Sequence, residues 1–167
     1  MGMVSRLYGY IEEAWPGANA GGDSKKMQLL VDQSRRIERH NEAILQALPI
    51  IDEWPPISRH MFAYAPPDVQ MITYKNRLIH FAASLKEVDG DIGQWIEKFE
   101  HLLRSLYWES AVVHFEAAYE GEHRFEWHPK DEWVSRLCNG FLEPVLQWDR
   151  TSTMSEDELA ERRWGTS

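Results

Sequence analysis

At 167 residues the chain has the size of one ordinary domain and enough length to bury a core without staples. It is 43% hydrophobic and 27% charged, within the globular range. Its net charge of −9 argues against a nucleic-acid-binding surface, and its one cysteine, Cys138, excludes an intramolecular disulfide and a thiolate zinc site.

The acidity is uneven. Residues 1–88 carry ten basic and ten acidic side chains, whereas residues 89–167 carry eight and seventeen. Such an excess suits a partner with a basic surface. The chain has no signal-peptide pattern and no apolar run near the roughly 20 residues of a membrane span, so a cytoplasmic location without membrane contact is expected. Arg6 stands where myristoylation requires Ser or Thr. The eight tryptophans exceed what one small core easily hides, so some are expected at the surface.

A short N-terminal piece, Leu7 to Ala14, precedes a breaker cluster at Trp15-Pro16-Gly17 and Gly21-Gly22. Asp23 or Ser24 then caps a helix whose apolar positions run from Met27 to Leu48 and which Pro49 ends. Residues 49–68 hold five of the eight prolines and read as a loop or a set of short extended pieces, with Trp54 and Phe62 as anchors. Residues 69–86 fit either a helical stripe (Met71, Tyr74, Leu78, Phe81, Leu85) or two strands, Val69–Tyr74 and Arg77–Ala82, about Lys75-Asn76. Their β-branched and aromatic content favours the hairpin.

After the turn Asp89-Gly90-Asp91, the residues Ile92, Trp95, Ile96, Phe99, Leu102, Leu103 and Leu106 make an uninterrupted helical stripe, with Asp91 and Gln94 at capping positions. The period then drops from 3.6 to 2. Val113, Phe115, Ala117 and Tyr119 alternate with His114, Glu116, Ala118 and Glu120, and Phe125 and Trp127 alternate with Arg124, Glu126 and His128. This predicts a hairpin over 111–128, with Tyr119 opposite Phe125, Ala117 opposite Trp127, and a loop at Gly121-Glu122-His123. Its polar face then pairs Glu120 with Arg124 and Glu116 with His128. Pro129 is expected to begin a helix with Trp133, Val134 and Leu137 inward, ended by Asn139-Gly140, and Cys138 reads as a buried structural thiol. Ser155 and Glu158 form a capping box for a short charged helix, read as a mobile tail or docking segment.

The expected architecture is α+β: an antiparallel sheet of about four strands, from two hairpins, packed against amphipathic helices. The alternative is an all-α bundle, if 69–86 and 109–120 are helical. One domain is expected over 1–150, followed by the tail at 151–167.

No Gly-x-Ser-x-Gly elbow and no phosphate-binding glycine loop occurs, and no cofactor is expected. The polar hairpin face is the candidate site: Glu116, Glu120, Glu122, Arg124, Glu126 and His128. A weaker alternative makes His114, Glu116, Glu126 and His128 a metal site of a small enzyme. Glu120-x-x-His123 matches half of a di-iron bundle motif, but no second Glu-x-x-His accompanies it.

In size, acidity, helix–hairpin order and the Tyr107–Trp127 stretch, the chain resembles the small acidic immunity proteins of bacterial polymorphic toxin systems. The resemblance implies a binder that blocks a toxin's active site with an acidic surface. It carries over no functional residue. A structural or adaptor subunit that uses its surplus tryptophans is the third class.

Overall fold

A computed structural model describes residues 4–15, 24–66, 76–118, 121–138 and 142–162. The class is α+β. Strands β1 (Val4–Glu13), β2 (Phe62–Tyr64), β3 (Leu78–Lys86), β4 (Trp108–Ala117), β5 (Gly121–Pro129) and β6 (Trp148–Ser152) form a six-stranded sheet in the order β2-β3-β1-β4-β5-β6. Every pairing is antiparallel. Helices α1 (Ser24–Gln46), α2 (Ile92–Leu103), α3 (Asp131–Cys138) and α4 (Glu156–Glu161) complete the described elements.

The described sheet is larger than expected because three of its members, β1, β2 and β6, lie outside the two expected hairpins and carry weak sequence signals. The N-terminal piece is β1, a central strand paired to both β3 and β4. Its inward positions are Ser5, Leu7, Gly9, Ile11 and Glu13, so polar residues and a glycine break the apolar alternation. β6 turns Arg150 inward, toward Glu100 of α2 and Glu156 of α4, and the expected boundary at residue 150 falls within this strand.

The all-α alternative is overturned, since 78–86 and 108–117 are strands. Of the hairpin expected over 69–86, the strand Val69–Tyr74 lies outside the described residues. The other half is β3, paired with β1 and β2.

The stripe on α2 is buried as expected, from Ile92 through Leu103 and on to Leu106. It covers the sheet face lined by Leu7, Ile11, Ile79, Phe81, Val113, Phe115, Phe125 and Trp127. Phe99 is the hub, with its ring centroid 5.3 Å from both Trp95 and Phe81 and 5.1 Å from Trp127. Such offset and tilted aromatic pairs add to the stabilisation that burial alone provides. Asp91 stands at the N-cap of α2, but its carboxylate accepts no bond from the helix and takes the Trp54 indole N–H instead, at 2.8 Å.

α1 reaches the same side of the sheet through Leu45 and Asn41. The Asn41 amide donates to Glu13 Oε2 (2.9 Å) and the Tyr107 carbonyl (3.0 Å), and its oxygen accepts from the Tyr107 N–H (2.9 Å). A fully buried asparagine is thus satisfied on both sides.

The C-terminal segment is not a loose tail as far as Arg162. Ser155 Oγ accepts from the Glu158 N–H at 3.1 Å, as its capping position requires, and Met154 and Leu159 are buried in the core. α3 starts two residues later than expected because Pro129 ends β5, opposite Trp148. Strand ends tolerate a residue with no N–H to give. Trp133 and Leu137 are half-buried, but Val134 is exposed rather than inward. The Cys138 side chain and Asn139-Gly140 lie outside the described residues.

Asp52 ties the proline-rich loop to α2. Its carboxylate accepts from the Ile57 N–H (2.9 Å) and from Lys98 Nζ (2.9 Å). Desolvation would raise its pKa, but those donors outweigh it and hold the value below the ordinary aspartate range. A depressed folded-state pKa means stability that is present above the unfolded value and lost as pH falls through the folded one. Asp52→Asn is therefore expected to cost up to about 1 kcal/mol at neutral pH, with the difference from wild type closing in acid. Urea unfolding across the acid range measures this, and a difference independent of pH would contradict it.

Candidate functional site

The hairpin of β4 and β5 exists, but its register is not the expected one. Phe125 faces Val113 instead of Tyr119, and Trp127 faces Ala111 instead of Ala117. The slip is by an even number of residues, so every side chain keeps its face. Gly121 explains it. With a φ of +80° it pairs with Ala117 as the first residue of β5, so the strand already includes Gly121-Glu122-His123, where the loop was expected.

The polar partners change accordingly. Glu120 lies outside the described residues. Glu116 faces Glu122, not His128, and His114 faces Arg124. The two facing carboxylates are not left to repel each other, because β1 supplies donors from the other side. Arg6 pairs with Glu116 at 3.6 Å, and the Tyr8 hydroxyl donates to Glu116 Oε1 at 2.7 Å. That bond raises the Tyr8 pKa above the ordinary tyrosine value.

The site residues from the sequence that are described, Glu116, Glu122, Arg124, Glu126 and His128, share one face, the side of the sheet opposite α2. Register places Arg6, Tyr8, Tyr10 and Glu12 of β1 on it, with His80 of β3, His114 and Glu116 of β4, and Glu122, Arg124, Glu126 and His128 of β5. His80, Glu122, Arg124 and His128 are exposed, Tyr8 keeps 38% of its surface, and His114, Glu116 and Glu126 are half-buried. Tyr8 stacks on His114 with centroids 5.0 Å apart and planes 18° apart. Arg124 bonds Glu126 along the same strand and holds its carboxyl below the usual glutamate range, while His128 lies 3.7 Å from the other Glu126 oxygen.

The contribution of β1 was missed in the sequence. The alternation Arg6-x-Tyr8-x-Tyr10-x-Glu12 is its signal, masked by the weak apolar character of the residues between.

The face is a mixture of paired charges rather than a plain acidic patch, since Arg6 and Arg124 balance Glu116 and Glu126. Exposed carboxylates are denser on α4, at Glu156, Asp157, Glu158 and Glu161.

His114, Glu116, Glu126 and His128 do not converge as metal ligands. The His114 ring is stacked on Tyr8 and Glu126 is engaged by Arg124. Among the described residues no group of three or more His, Cys, Asp or Glu side chains is arranged to hold a metal ion. The half di-iron motif is likewise overturned, because His123 lies on β5 and not on a helix.

Most of the tryptophans serve the core. Trp95, Trp108 and Trp127 are fully buried, Trp15, Trp133 and Trp148 are half-buried, and Trp54 is exposed. Trp164 lies outside the described residues. Among the described residues no helix is long and apolar enough to cross a membrane. No family model, no curated protein and no solved structure matches the chain.

Proposed function

We propose that this chain is a protein-binding module of the immunity-protein kind, which occludes a basic partner with the face of its sheet that carries Tyr8, His114, Glu116, Glu122, Arg124, Glu126 and His128. One observation carries the reading. α2 is packed against one side of the sheet, while the other presents aromatic, imidazole and charged side chains on four adjacent strands, exposed on β3, β1 and β5 and half-buried on β4. Aromatic rings and arginine are the residue types that anchor protein interfaces, and Tyr8 and Arg124 are already held in place by His114 and Glu126. The partner is a cationic bacterial toxin met in the cytoplasm, and neither cofactor nor nucleic acid enters the reading.

A second reading, an adaptor subunit, is favoured by the loop at 50–54. There Ile50 is 56% exposed, Ile51 90% and Trp54 47%.

The experiment mixes the protein with the toxins encoded beside it, at low and high salt. Tyr8→Ala with Glu126→Lys is expected to weaken the complex at least tenfold, and added salt to weaken it further. Asp157→Lys on α4 and Ile51→Ser in the loop are expected to leave it unchanged. Absence of a complex with any such toxin at low salt sinks the proposal. Loss through Ile51→Ser alone transfers it to the adaptor reading.

A further inference from the structure

Where β1 ends and β4 begins, a cavity of about 320 Å³ opens between the sheet and α3. Trp15, Trp108 and Trp133 contribute to its walls, and Glu12, Glu109 and Glu143 bring carboxylates to it. None of the described residues that line it is basic. This is the size of a small-ligand site, but its composition selects the occupant more sharply than its size does.

The three carboxylates are not equivalent. Glu143 is ion-paired to Arg136 at 2.8 Å. Glu109 accepts from the Trp15 backbone N–H at 3.2 Å and from the Asn76 amide. Glu12 accepts only neutral donors among the described residues: Asn76 Nδ2 at 2.9 Å and Ser110 Oγ at 2.8 Å. Those bonds fix its orientation but leave its charge uncompensated. A carboxylate in a cavity walled in part by indole rings is complementary to a flat cation, which gains from both the carboxylate and the ring quadrupoles, and the Arg136 guanidinium already lies over the Trp133 ring, 5.8 Å from its centroid. A metal ion would instead require converging oxygen or nitrogen ligands.

We propose that this cavity receives the guanidinium of one arginine side chain of the basic partner, with Glu12 as its counter-ion and Trp133 as a stacking wall. Arginine is preferred over lysine because its planar fork stacks on indole and meets a carboxylate in two directions. Glu12 also lies at the end of the exposed sheet face, so an arginine seated there anchors one edge of the same interface. The proposal thus rests on the protein-binding reading.

The test titrates the isolated protein with N-acetyl-arginine methylamide and with the neutral citrulline counterpart, read by tryptophan fluorescence and by amide chemical shifts. The arginine compound is expected to bind saturably, and the citrulline compound about tenfold more weakly. Glu12→Gln is expected to bring arginine down to the citrulline level and leave citrulline unchanged, whereas Trp133→Leu weakens both. In the toxin complex, Glu12→Gln is expected to cost about tenfold in affinity. Absence of saturable binding, equal binding of the two compounds, or indifference to Glu12→Gln overturns the proposal. Arginine binding without any effect of Glu12→Gln on the complex also overturns it, and assigns the cavity to a free cation. If the probe fails while the complex forms through the sheet face, only the cavity is lost. If the probe binds and no toxin does, only the protein-binding reading is lost.

Discussion

Replacing Arg77 with methionine is expected to cost about 3–5 kcal/mol of folding stability, the range for breaking a buried ion pair by removing one partner. Arg77 and Glu13 are each 2% exposed. The guanidinium bonds both Glu13 oxygens, with Nη2 to Oε2 at 3.0 Å, and also reaches the Glu42 carboxylate, the Ala65 carbonyl at 3.1 Å and the Glu38 carbonyl at 3.3 Å. Desolvation would lower its pKa, but the Glu13 and Glu42 carboxylates more than reverse this, so Arg77 stays charged at any ordinary pH. The loss on substitution comes from what is left behind: a carboxylate on a central strand, out of water, with only Asn41 among the described residues to donate to it. The double variant Arg77→Met with Glu13→Leu is therefore expected to be more stable than Arg77→Met alone, because no orphaned charge remains. Denaturant unfolding of the three proteins measures this. A single variant within about 1 kcal/mol of wild type would show that water reaches the site and that the pair is not truly desolvated.

Gly9→Ala is expected to destabilise the protein by at least about 3 kcal/mol, toward the severe end for overpacking. Gly9 lies mid-strand in β1, opposite Phe81 on one side and Val113 on the other. A Cβ built there would sit 1.9 Å from the Val112 carbonyl oxygen and 2.9 Å from Phe81 Cζ. The ring could swing aside, but the carbonyl belongs to the backbone of β4 and cannot move without shifting the ladder that joins β1 to β4. β1 and β4 carry Tyr8, His114 and Glu116 of the candidate face and part of the rim of the cavity, so the variant is expected to lose partner binding along with stability. Soluble yield and denaturant midpoint report the outcome. A Gly9→Ala protein that folds with less than about 1 kcal/mol lost would mean that the strand separation adjusts freely.

Long, regular patterns were legible without the tertiary structure. The stripe from Ile92 to Leu106 is helical and buried because seven apolar residues at helical spacing leave no other face to bury. The alternation from Val113 to Trp127 is a hairpin with the expected faces, since a period of two admits no other arrangement with one side apolar. Ser155 caps α4 through its own hydroxyl, which is local chemistry. The central strand β1 depended on partners distant in the chain. β1 is a strand because β3 and β4 flank it, and its Ser5, Gly9 and Glu13 are tolerated inside only through Asp89, Phe81 and Arg77, each more than 60 residues away.

The chain's own residues determined the α+β class, the sheet-covering helix α2 and the face on which Glu116, Glu122, Arg124, Glu126 and His128 stand. Periodicity is a property of neighbouring residues, and burial of the apolar face follows from it. The tertiary structure decided the hairpin register, the six-strand order, the addition of Tyr8 and Tyr10 to the face, and the meeting of Glu12 with Trp133 in one cavity. These depend on pairings that no local pattern encodes: a register set by one glycine, and polar side chains that are stable inside only when a distant partner satisfies them.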